Sequence, residues 1–317
     1  MKKFLALLLA LSMVFALCAC GTSAAKLTYA TGGTSGTYYG FSGVIANVLN
    51  EKLGDTLNIT VESTGASKAN IQMIDSGDAD IAIVQNDVMY YAYTGTDLFA
   101  GEDPITDFSA VCSCYPEYVQ ILAKKDISSI DDLRGKNVSV GDAGSGTEFN
   151  AKQILAAYGI EFDDINVSNQ SFADSADSLK NGTIDAAFVV AGYPTTAVTE
   201  LATNYDFNLL PVDDEHVADL QAQYGFYYYG MIPGGTYSCV AEDVPAVAVM
   251  ATIVASNKVP ADTVYAFLKG LFDYKDEITA GHAKGAELSL ETAVSGIDIP
   301  FHPGAAQYFE EMGVEMP

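Results

Sequence analysis

The stretch Gly32-Gly33-Thr34-Ser35-Gly36-Thr37-Tyr38-Tyr39 is a turn rich in glycine and hydroxyl side chains. It follows an apolar, strand-like run at residues 27–31 and leads into a helix-like pattern over residues 38–53. A strand, a tight turn and a helix start place unpaired backbone N–H groups at one point, where the helix dipole also favours negative charge. The stretch therefore predicts an α/β unit with a site for a carboxylate or another anion.

A second turn of the same kind occurs 110 residues later, as Gly141-Asp142-Ala143-Gly144-Ser145-Gly146-Thr147-Glu148. In this copy the spacing of Ser145 and Glu148 predicts a capping box, in which each side chain bonds the backbone of the other residue. Either turn alone is also typical of an ordinary, well-capped connection in an α/β protein. Two copies with a common Ser-Gly-Thr core favour a duplicated binding element.

The secondary-structure pattern around the two turns is also duplicated. The first part of the chain predicts strands at 27–31, 58–63 and 80–85 and helices at 38–53 and 66–76. The second part predicts strands at 137–140, 164–167 and 184–190 and helices at 146–158 and 172–181. Asp80 and Asp185 occupy equivalent places 105 residues apart. Two motifs repeated at nearly the same offset predict two α/β lobes of similar design.

Polar side chains follow the apolar strand predicted at residues 80–85. Gln85, Asn86 and Asp87 come at its carboxyl end, and Gly192 and Tyr193 follow the equivalent strand of the second part. In open α/β sheets, ligands bind at the carboxyl ends of the strands. We therefore expect both groups of residues at the ligand cleft.

Two segments are predicted to connect the lobes. Residues 110–125 form two extended runs separated by Pro116, which indicates a crossing because proline cannot donate to a strand ladder. The turn-rich segment 232–237 predicts a second crossing. We therefore expect lobe I to consist of residues 27–115 and 232–317, and lobe II of residues 116–231. A helix at 213–224, a strand at 246–255 and a helix at 260–273 complete the prediction.

The N-terminal segment predicts export and lipid attachment. Lys2 and Lys3 precede an apolar run at residues 4–19, which is shorter than the roughly 20 residues of a membrane span. The run ends in Leu17-Cys18-Ala19-Cys20-Gly21, which resembles the cleavage box of bacterial lipoproteins. We expect a signal peptide over 1–19, lipidation of Cys20 and a linker over 20–26, with a plain secretory signal as the alternative. The mature protein is then expected outside the cytoplasm, anchored to the bacterial cell membrane by lipid.

The strongly acidic composition limits the partners of the chain. Its net charge is −26, and it becomes −28 without residues 1–19, which hold two lysines and no acids. Such a charge disfavours binding to nucleic acid and to anionic lipid surfaces. Arg134 is the only arginine in the sequence and lies in a turn-like segment, so a bidentate arginine clamp on a ligand carboxylate is not expected. An anionic ligand would have to be held by backbone N–H groups and hydroxyls.

Three cysteines follow residue 20. Cys112 and Cys114 share one strand-like run at a separation of about 6.6 Å, so a bond between them would be strained. The sequence leaves open whether all three are free thiols or whether one of these two is bonded to Cys239.

Several of these segments together resemble the TAXI solute receptors of TRAP transporters. In family order they are residues 31–39, 77–80, 85–87, 144–148, 232–237 and 299–305. The resemblance extends from about residue 27 to residue 317. It implies a periplasmic-binding-protein-like (Venus flytrap) fold, in which two α/β lobes joined by hinge strands close on a small carboxylate solute. Implied ligands are glutamate-like amino acids and 2-oxo dicarboxylates. Implied partners are the membrane subunits of an ion-coupled TRAP carrier.

The resemblance also implies which residues contact the ligand. One wall of the cleft is expected to consist of Thr34, Ser35, Gly36, Thr37 and Tyr38, and the other of Ser145, Gly146 and Thr147. Side contacts are expected from Gln85, Asn86, Asp87, Gly192 and Tyr193. The chain departs from the family pattern at Asn86, where serine is common, and at Gly40, where proline is common. The resemblance implies no metal, no cofactor and no catalytic residue.

Other functions are less well supported by the sequence. An extracellular hydrolase would need a nucleophile with a base, but the chain has no Gly-x-Ser-x-Gly elbow, and its histidines lie in acidic or Pro/Gly-rich contexts. No Gly-Lys-[Ser/Thr] follows either glycine-rich turn, which excludes a P-loop. The acidic pair Asp78 and Asp80 lacks the spacing of a calcium loop. A binding lipoprotein of an ABC permease would have nearly the same fold and mechanism, so it stays the main alternative.

Overall fold

The structure is a computed structural model that describes residues 24–317. The predicted signal peptide and Cys20 lie outside the described residues. Ten strands form one sheet in the described part of the chain. They are β1 (Ala25–Ala30), β2 (Leu57–Glu62), β3 (Ile81–Gln85), β4 (Phe108–Ala123), β5 (Asn137–Ser139), β6 (Asn166–Ser168), β7 (Ala186–Ala191), β8 (Asn208–Leu210), β9 (Tyr228–Ile232) and β10 (Val244–Ser256).

The helices cover both faces of this sheet and mostly follow the sequence-based expectation. They are α1 (Thr37–Leu53), α2 (Ser67–Ser76), α3 (Asn86–Thr94), α4 (Gly146–Ala157), α5 (Phe172–Asn181), α6 (Thr196–Ala202), α7 (Asp214–Tyr224), α8 (Ala261–Asp273), α9 (Lys275–Gly281) and α10 (Pro303–Glu311). The sequence pattern predicts α1, α2, α4, α5, α7 and α8 to within about two residues of these bounds. It misses α3, α6 and α9, of which α3 matters for the site. Within residues 24–317, no helix is both long and apolar enough to cross a bilayer.

The order of the strands divides the sheet into two α/β lobes. The order is β2-β1-β3-β10-β4-β7-β5-β6, with β8 beside β4 and β9 beside β10. Lobe I contains β1 to β3, in which β1 pairs in parallel with both neighbours. Lobe II contains β5 to β7, in which β5 does the same. The long antiparallel strands β4 and β10 lie between these units and join them. The predicted two-lobed architecture with hinge strands is therefore confirmed.

Each lobe has its own apolar core. Phe41 of α1, Tyr29 of β1 and Phe267 of α8 belong to a cluster in lobe I. Ile154 of α4 and Phe188 of β7 belong to a different cluster in lobe II. These two cores share no residue, so rotation of one lobe against the other would leave both packed. A further apolar cluster does cross between the lobes, where Phe149 of α4 packs against Tyr91 of α3.

The segment around Pro116 differs from the expectation of two separate extended runs. β4 continues through Pro116, whose Cα lies opposite that of Met250 in β10. A shift in register follows between Ala251 and Thr252 of β10. The shift lies at Cys114, whereas Pro116 itself is in regular register. The facing Met250 N–H bonds Asn86 Oδ1, so Pro116 is not needed as a ladder partner of Met250. The crossing is therefore one continuous strand.

The segment predicted as the second crossing is instead the turn between β9 and β10. Ile232 and Tyr237 pack with Phe207 in an apolar cluster of lobe II. The strand that runs beside β4 through both lobes is β10. Pro233 and Gly234 thus lie in the connection of a β-hairpin. Proline and glycine favour such a turn as much as they favour a crossing between lobes. We propose that the second lobe boundary falls within β10 rather than at residue 232.

The cysteines of the described part are free thiols. Cys112 and Cys114 are buried on β4, and Cys239 is partly buried. Of the two possibilities that the sequence leaves open, the structure thus has the free thiols.

Candidate ligand-binding cleft

A cavity of about 40 Å³ lies between the lobes, where the two glycine-rich turns face each other. Its size corresponds to a few water-sized groups, so the lobes are nearly closed around it. Eight of the thirteen predicted site residues line this cavity, namely Ser35, Gly36, Thr37, Tyr38, Gln85, Ser145, Gly146 and Thr147. The other five, Thr34, Asn86, Asp87, Gly192 and Tyr193, do not line it. The fold therefore brings the two distant Ser-Gly-Thr motifs to one place.

Two helix starts direct free backbone N–H groups at the cavity. α1 begins at Thr37 and α4 begins at Gly146. Among residues 24–317, no acceptor bonds the N–H groups of Thr37, Tyr38, Gly146 or Thr147. Such groups, together with the helix dipoles, provide an anion site without a basic side chain.

The cap of α4 is only partly the predicted capping box. Ser145 Oγ accepts a hydrogen bond of 3.1 Å from the Glu148 N–H, as predicted. The Glu148 carboxylate does not return to Ser145, since it accepts from the Gly144 N–H at 2.6 Å and from Asn169 at 2.9 Å. Ser145 is therefore a helix cap, and Glu148 fixes the glycine-rich turn that precedes it.

A third helix start, which the sequence analysis overlooks, also reaches the cavity. Ala66 and Ser67 at the start of α2 line it. Ala66 has a φ of 67°, which is uncommon for a residue with a side chain and is typical of functional sites. The sequence does contain a signal, because Thr64-Gly65-Ala66-Ser67 is another glycine- and hydroxyl-rich turn between a strand and a helix.

Glycine at position 146 allows the lobes to approach closely. A Cβ built on Gly146 would lie 1.9 Å from Gln85 Oε1 of lobe I. Gln85 Oε1 is buried and has no hydrogen-bond partner in the described part of the chain. A Cβ on Gly36 would meet milder crowding, at 3.3 Å from the Gly33 oxygen. The Gln85 side-chain amide therefore packs closely against the start of α4. Its Oε1 remains able to accept a hydrogen bond at the cavity.

Two hydrogen bonds join the lobes beside the cavity. Thr37 Oγ1 donates to the Gly192 carbonyl at 2.9 Å. The Ala197 N–H donates to the Ser35 carbonyl at 3.3 Å. The Gly192 carbonyl thus bonds the opposite lobe, and Gly192 itself does not line the cavity. These contacts require closed lobes.

Asn86 and Asp87 point away from the cavity. The sequence predicts both residues at the ligand cleft, but α3 begins directly after Gln85, and their side chains bond other groups of the fold. Asn86 donates to the Gly296 carbonyl at 3.1 Å and accepts from the Met250 N–H at 2.9 Å. Asp87 accepts from Asn150 of lobe II at 2.9 Å. Burial raises the pKa of Asp87 to about 6. Both residues stabilise the arrangement around the hinge strands.

Tyr193 lies in an aromatic contact at the hinge. Its ring centroid is 4.8 Å from that of Tyr118 on β4. The buried Lys284 places its Nζ 5.0 Å from the Tyr193 ring and 2.6 Å from Glu287 Oε1. Lys284 is therefore already paired and lies outside the cavity lining.

The main residue that the sequence analysis overlooks is Glu117. It lines the cavity from β4 and is only 2% exposed. Its Oε2 accepts a hydrogen bond of 2.6 Å from the Tyr38 hydroxyl. Burial raises the pKa of Glu117 well above its usual range, against the lowering effect of the Tyr38 bond. Glu117 is the only charged residue of β4, and this is the signal that could have identified it.

The comparisons with known proteins agree with this architecture. The chain matches the NMT1-like family over residues 29–313. It is similar to the arginine-binding extracellular protein ArtP of Bacillus subtilis strain 168, with 30% identity over 200 residues that cover 60% of this chain and 73% of that protein.

Two solved structures share the fold at low sequence identity. One is a protein from Bordetella bronchiseptica RB50, with a TM-score of 0.52, 19% identity, and coverage of 92% of this chain and 90% of that one. The other is the binding protein component of an ABC phosphonate transporter from Pseudomonas aeruginosa, with a TM-score of 0.51, 12% identity, and coverage of 84% and 80%. The fold is thus that of two-lobed solute-binding proteins, and the chain itself belongs to the NMT1-like family.

Proposed function

We propose that this chain captures a small carboxylate-bearing solute between its lobes and delivers it to membrane subunits. In general class, the chain is an extracytoplasmic solute-binding protein of a transporter. The observation that supports a carboxylate-bearing solute is that the starts of α1 and α4 converge on one cavity.

The electrostatics of the chain explain why these helix starts are needed. The protein is strongly acidic, so long-range attraction of an anion is absent. Arg134 bonds the carbonyls of Tyr158 and Gly159 in lobe II, and it does not line the cavity. Charge-assisted hydrogen bonds contribute roughly 1.5–3 kcal/mol each, so several N–H groups can offset the desolvation of a carboxylate.

Binding is coupled to closure in this proposal. A ligand favours the closed form only if it interacts better with the two lobes when they are together. A carboxylate between Thr37 of lobe I and Gly146 of lobe II meets that condition. Closure would also form the bond between Thr37 and Gly192.

The carrier has two candidates. An ABC permease is the first, because the Pseudomonas aeruginosa protein that shares this fold is the binding protein component of an ABC phosphonate transporter. A TRAP carrier is the second, and its support is the likeness of residues 31–39 and 144–148 to TAXI receptors. Uptake into proteoliposomes that contain the membrane subunits discriminates between them. Uptake that requires ATP inside supports the ABC permease, and uptake driven by an ion gradient without ATP supports the TRAP carrier.

We propose no enzymatic activity. Ser35 and Ser145 both line the cavity, but no histidine does so in the described part of the chain. His302 bonds the Val259 carbonyl at 3.1 Å, and His216 bonds Asp213 at 2.8 Å. Ser145 acts as a helix cap rather than as an activated nucleophile.

The experiment that tests the function is identification of the natural ligand. The purified protein is denatured, and the released small molecules are identified by mass spectrometry. A released compound with a carboxylate, which rebinds in calorimetry, supports the proposal. A rebinding ligand without any carboxylate would contradict it.

A further inference from the structure

We propose that Glu117 accepts a hydrogen bond from the ammonium group of the ligand, so that the solute is an amino acid rather than the corresponding 2-oxo acid. The inference rests on the proposed function, because it takes the carboxylate of the ligand to lie at the helix starts. It narrows the proposed ligand from any small carboxylate to an amino acid, on the basis of Glu117.

Glu117 lies on a face of β4 where the neighbouring side chains are buried in the apolar cores. Tyr115 and Val119, two residues to either side, point to the same face of the strand. Both are buried, Tyr115 in the core of lobe I and Val119 in that of lobe II. Glu117 lies between the two cores and lines the cavity at the hinge. A buried carboxylate at this point has a cost that core packing does not explain.

The carboxylate of Glu117 has unused bonding capacity. The Tyr38 hydroxyl bonds Oε2, and no other side chain or N–H group bonds the carboxylate within residues 24–317. No lysine, arginine or histidine of the described part lies within ion-pair distance of it. Lys284, the basic residue whose charge acts on Glu117, is paired with Glu287. Without a cation beside it, burial raises the pKa of Glu117. An ammonium group of the ligand would favour the ionised form of this buried carboxyl group and would supply its missing partner.

Tyr38 connects the two halves of this arrangement. Its backbone N–H is one of the free donors at the start of α1, and its hydroxyl bonds Glu117. The cavity therefore offers backbone N–H donors for a negative group and the Glu117 carboxylate as an acceptor for a positive group. The Tyr38 side chain spans the distance between them. That pattern complements the carboxylate and ammonium groups of an α-amino acid. A neutral Glu117 would instead donate to the ligand and would favour an oxo acid, which is the competing outcome of the test.

The test compares pairs of ligands that share a carbon skeleton. Wild-type protein is titrated calorimetrically with the proteinogenic L-amino acids and with their 2-oxo acids, for example L-glutamate and 2-oxoglutarate. We expect a preference of about tenfold or more for the amino acid of the binding pair. Glu117→Gln keeps the size of the side chain and removes its charge. It should remove this preference while the affinity for the 2-oxo acid stays the same or increases.

The matched control is Glu200→Gln, which makes the same change at an exposed glutamate outside the cavity lining. It should keep the preference for the amino acid. Retained binding of the 2-oxo acid by the Glu117→Gln protein shows that the site is folded. If the Glu117→Gln protein fails to fold, the inference is tested by the affinities of the wild-type protein for the amino acid and for its 2-oxo acid.

Three results would overturn the inference. A wild-type protein that binds the 2-oxo acid as tightly as the amino acid leaves the proposed function in place but removes the role of Glu117. An undiminished preference in the Glu117→Gln protein does the same. If no carboxylate of either class binds the wild-type protein, both the inference and the proposed function fail.

Discussion

The side-chain amide of Asn150 on α4 donates a hydrogen bond of 2.9 Å to Oδ2 of Asp87 on α3, and this bond joins the two lobes behind the cleft. The same amide also donates to the Tyr227 hydroxyl at 2.9 Å, and that hydroxyl donates to Gln153 at 2.6 Å. Gln153 in turn donates to the Tyr91 hydroxyl of α3 at 3.3 Å. α4 therefore presents its first turn to the cavity and its second turn to a buried interlobe network.

The first prediction concerns the pH dependence of stability. Asp87 is buried, and its pKa in the folded protein is raised to about 6 from 3.8. Between these values the folded state binds more protons than the unfolded state, so the contribution of Asp87 to stability is largest at low pH. This contribution is lost as the pH rises through about 6.

The measurement is urea unfolding of the wild-type protein and of Asp87→Asn, which cannot titrate. The free energy of unfolding of the wild type, relative to that of the variant, should fall by roughly 2 kcal/mol between about pH 4 and pH 7. A difference that is the same at both pH values would contradict the raised pKa of Asp87.

The second prediction is that saturating ligand closes the lobes of the wild-type protein. The separate cores and the two crossing strands permit rotation, and the ligand is expected to contact both lobes. Small-angle scattering should show a smaller radius of gyration with the natural ligand than without it. An unchanged radius at demonstrated saturation would argue against hinge closure.

The third prediction tests the interlobe network without touching the cavity. Asn150→Asp places a second carboxylate against Asp87, and like charges at this distance repel. We expect a larger radius of gyration for the ligand-free protein and about tenfold weaker binding of the natural ligand. Asn204→Asp makes the same charge change at an exposed position and should alter neither quantity. Equal behaviour of the two variants would mean that the network does not couple to closure.

The fourth prediction concerns the glycines of the two turns. Gly146→Ala should weaken binding by roughly tenfold or more, since its Cβ would displace Gln85 from the closed interface. Gly36→Ala should have a smaller effect because its closest contact is 3.3 Å. Gly43→Ala on α1 is the matched control, because nothing lies within 4 Å of its added Cβ and Gly43 does not line the cavity.

Calorimetry with the natural ligand measures all three glycine variants, together with Arg134→Gln. The arginine change should leave the affinity within a few-fold, as Arg134 bonds only groups of lobe II. If Arg134→Gln abolishes binding while Gly146→Ala is tolerated, the ligand lies elsewhere.

The fifth prediction concerns the membrane anchor. We expect cleavage between Ala19 and Cys20 and attachment of lipid to Cys20, because a short apolar run ends in a lipoprotein-like box. A clickable fatty acid should label the wild-type protein in cells, and Cys20→Ser should abolish the labelling. Cys18→Ser is the matched control and should remain labelled. Label that persists on the Cys20→Ser protein would disprove this processing.

The sequence by itself determined the local units of the site. The turns at 32–39 and 141–148 each end a strand and start a helix, because glycine, serine and threonine act through backbone conformation and capping over a few residues. Their repetition also determined that there would be two similar lobes. These features depend on neighbours in the chain, so they could be predicted from residue type and spacing.

The tertiary structure decided which residues face the cleft and which hold the lobes. Asn86 bonds Met250, 164 positions away in the sequence, and Asp87 bonds Asn150, 63 positions away. β4 continues through Pro116 beside β10, and β4 places Glu117 in the cavity. Burial of a polar side chain depends on partners that the fold brings from distant parts of the chain. Local sequence patterns carry no information about those partners, and for that reason Glu117 and the roles of Asn86 and Asp87 emerged only from the structure.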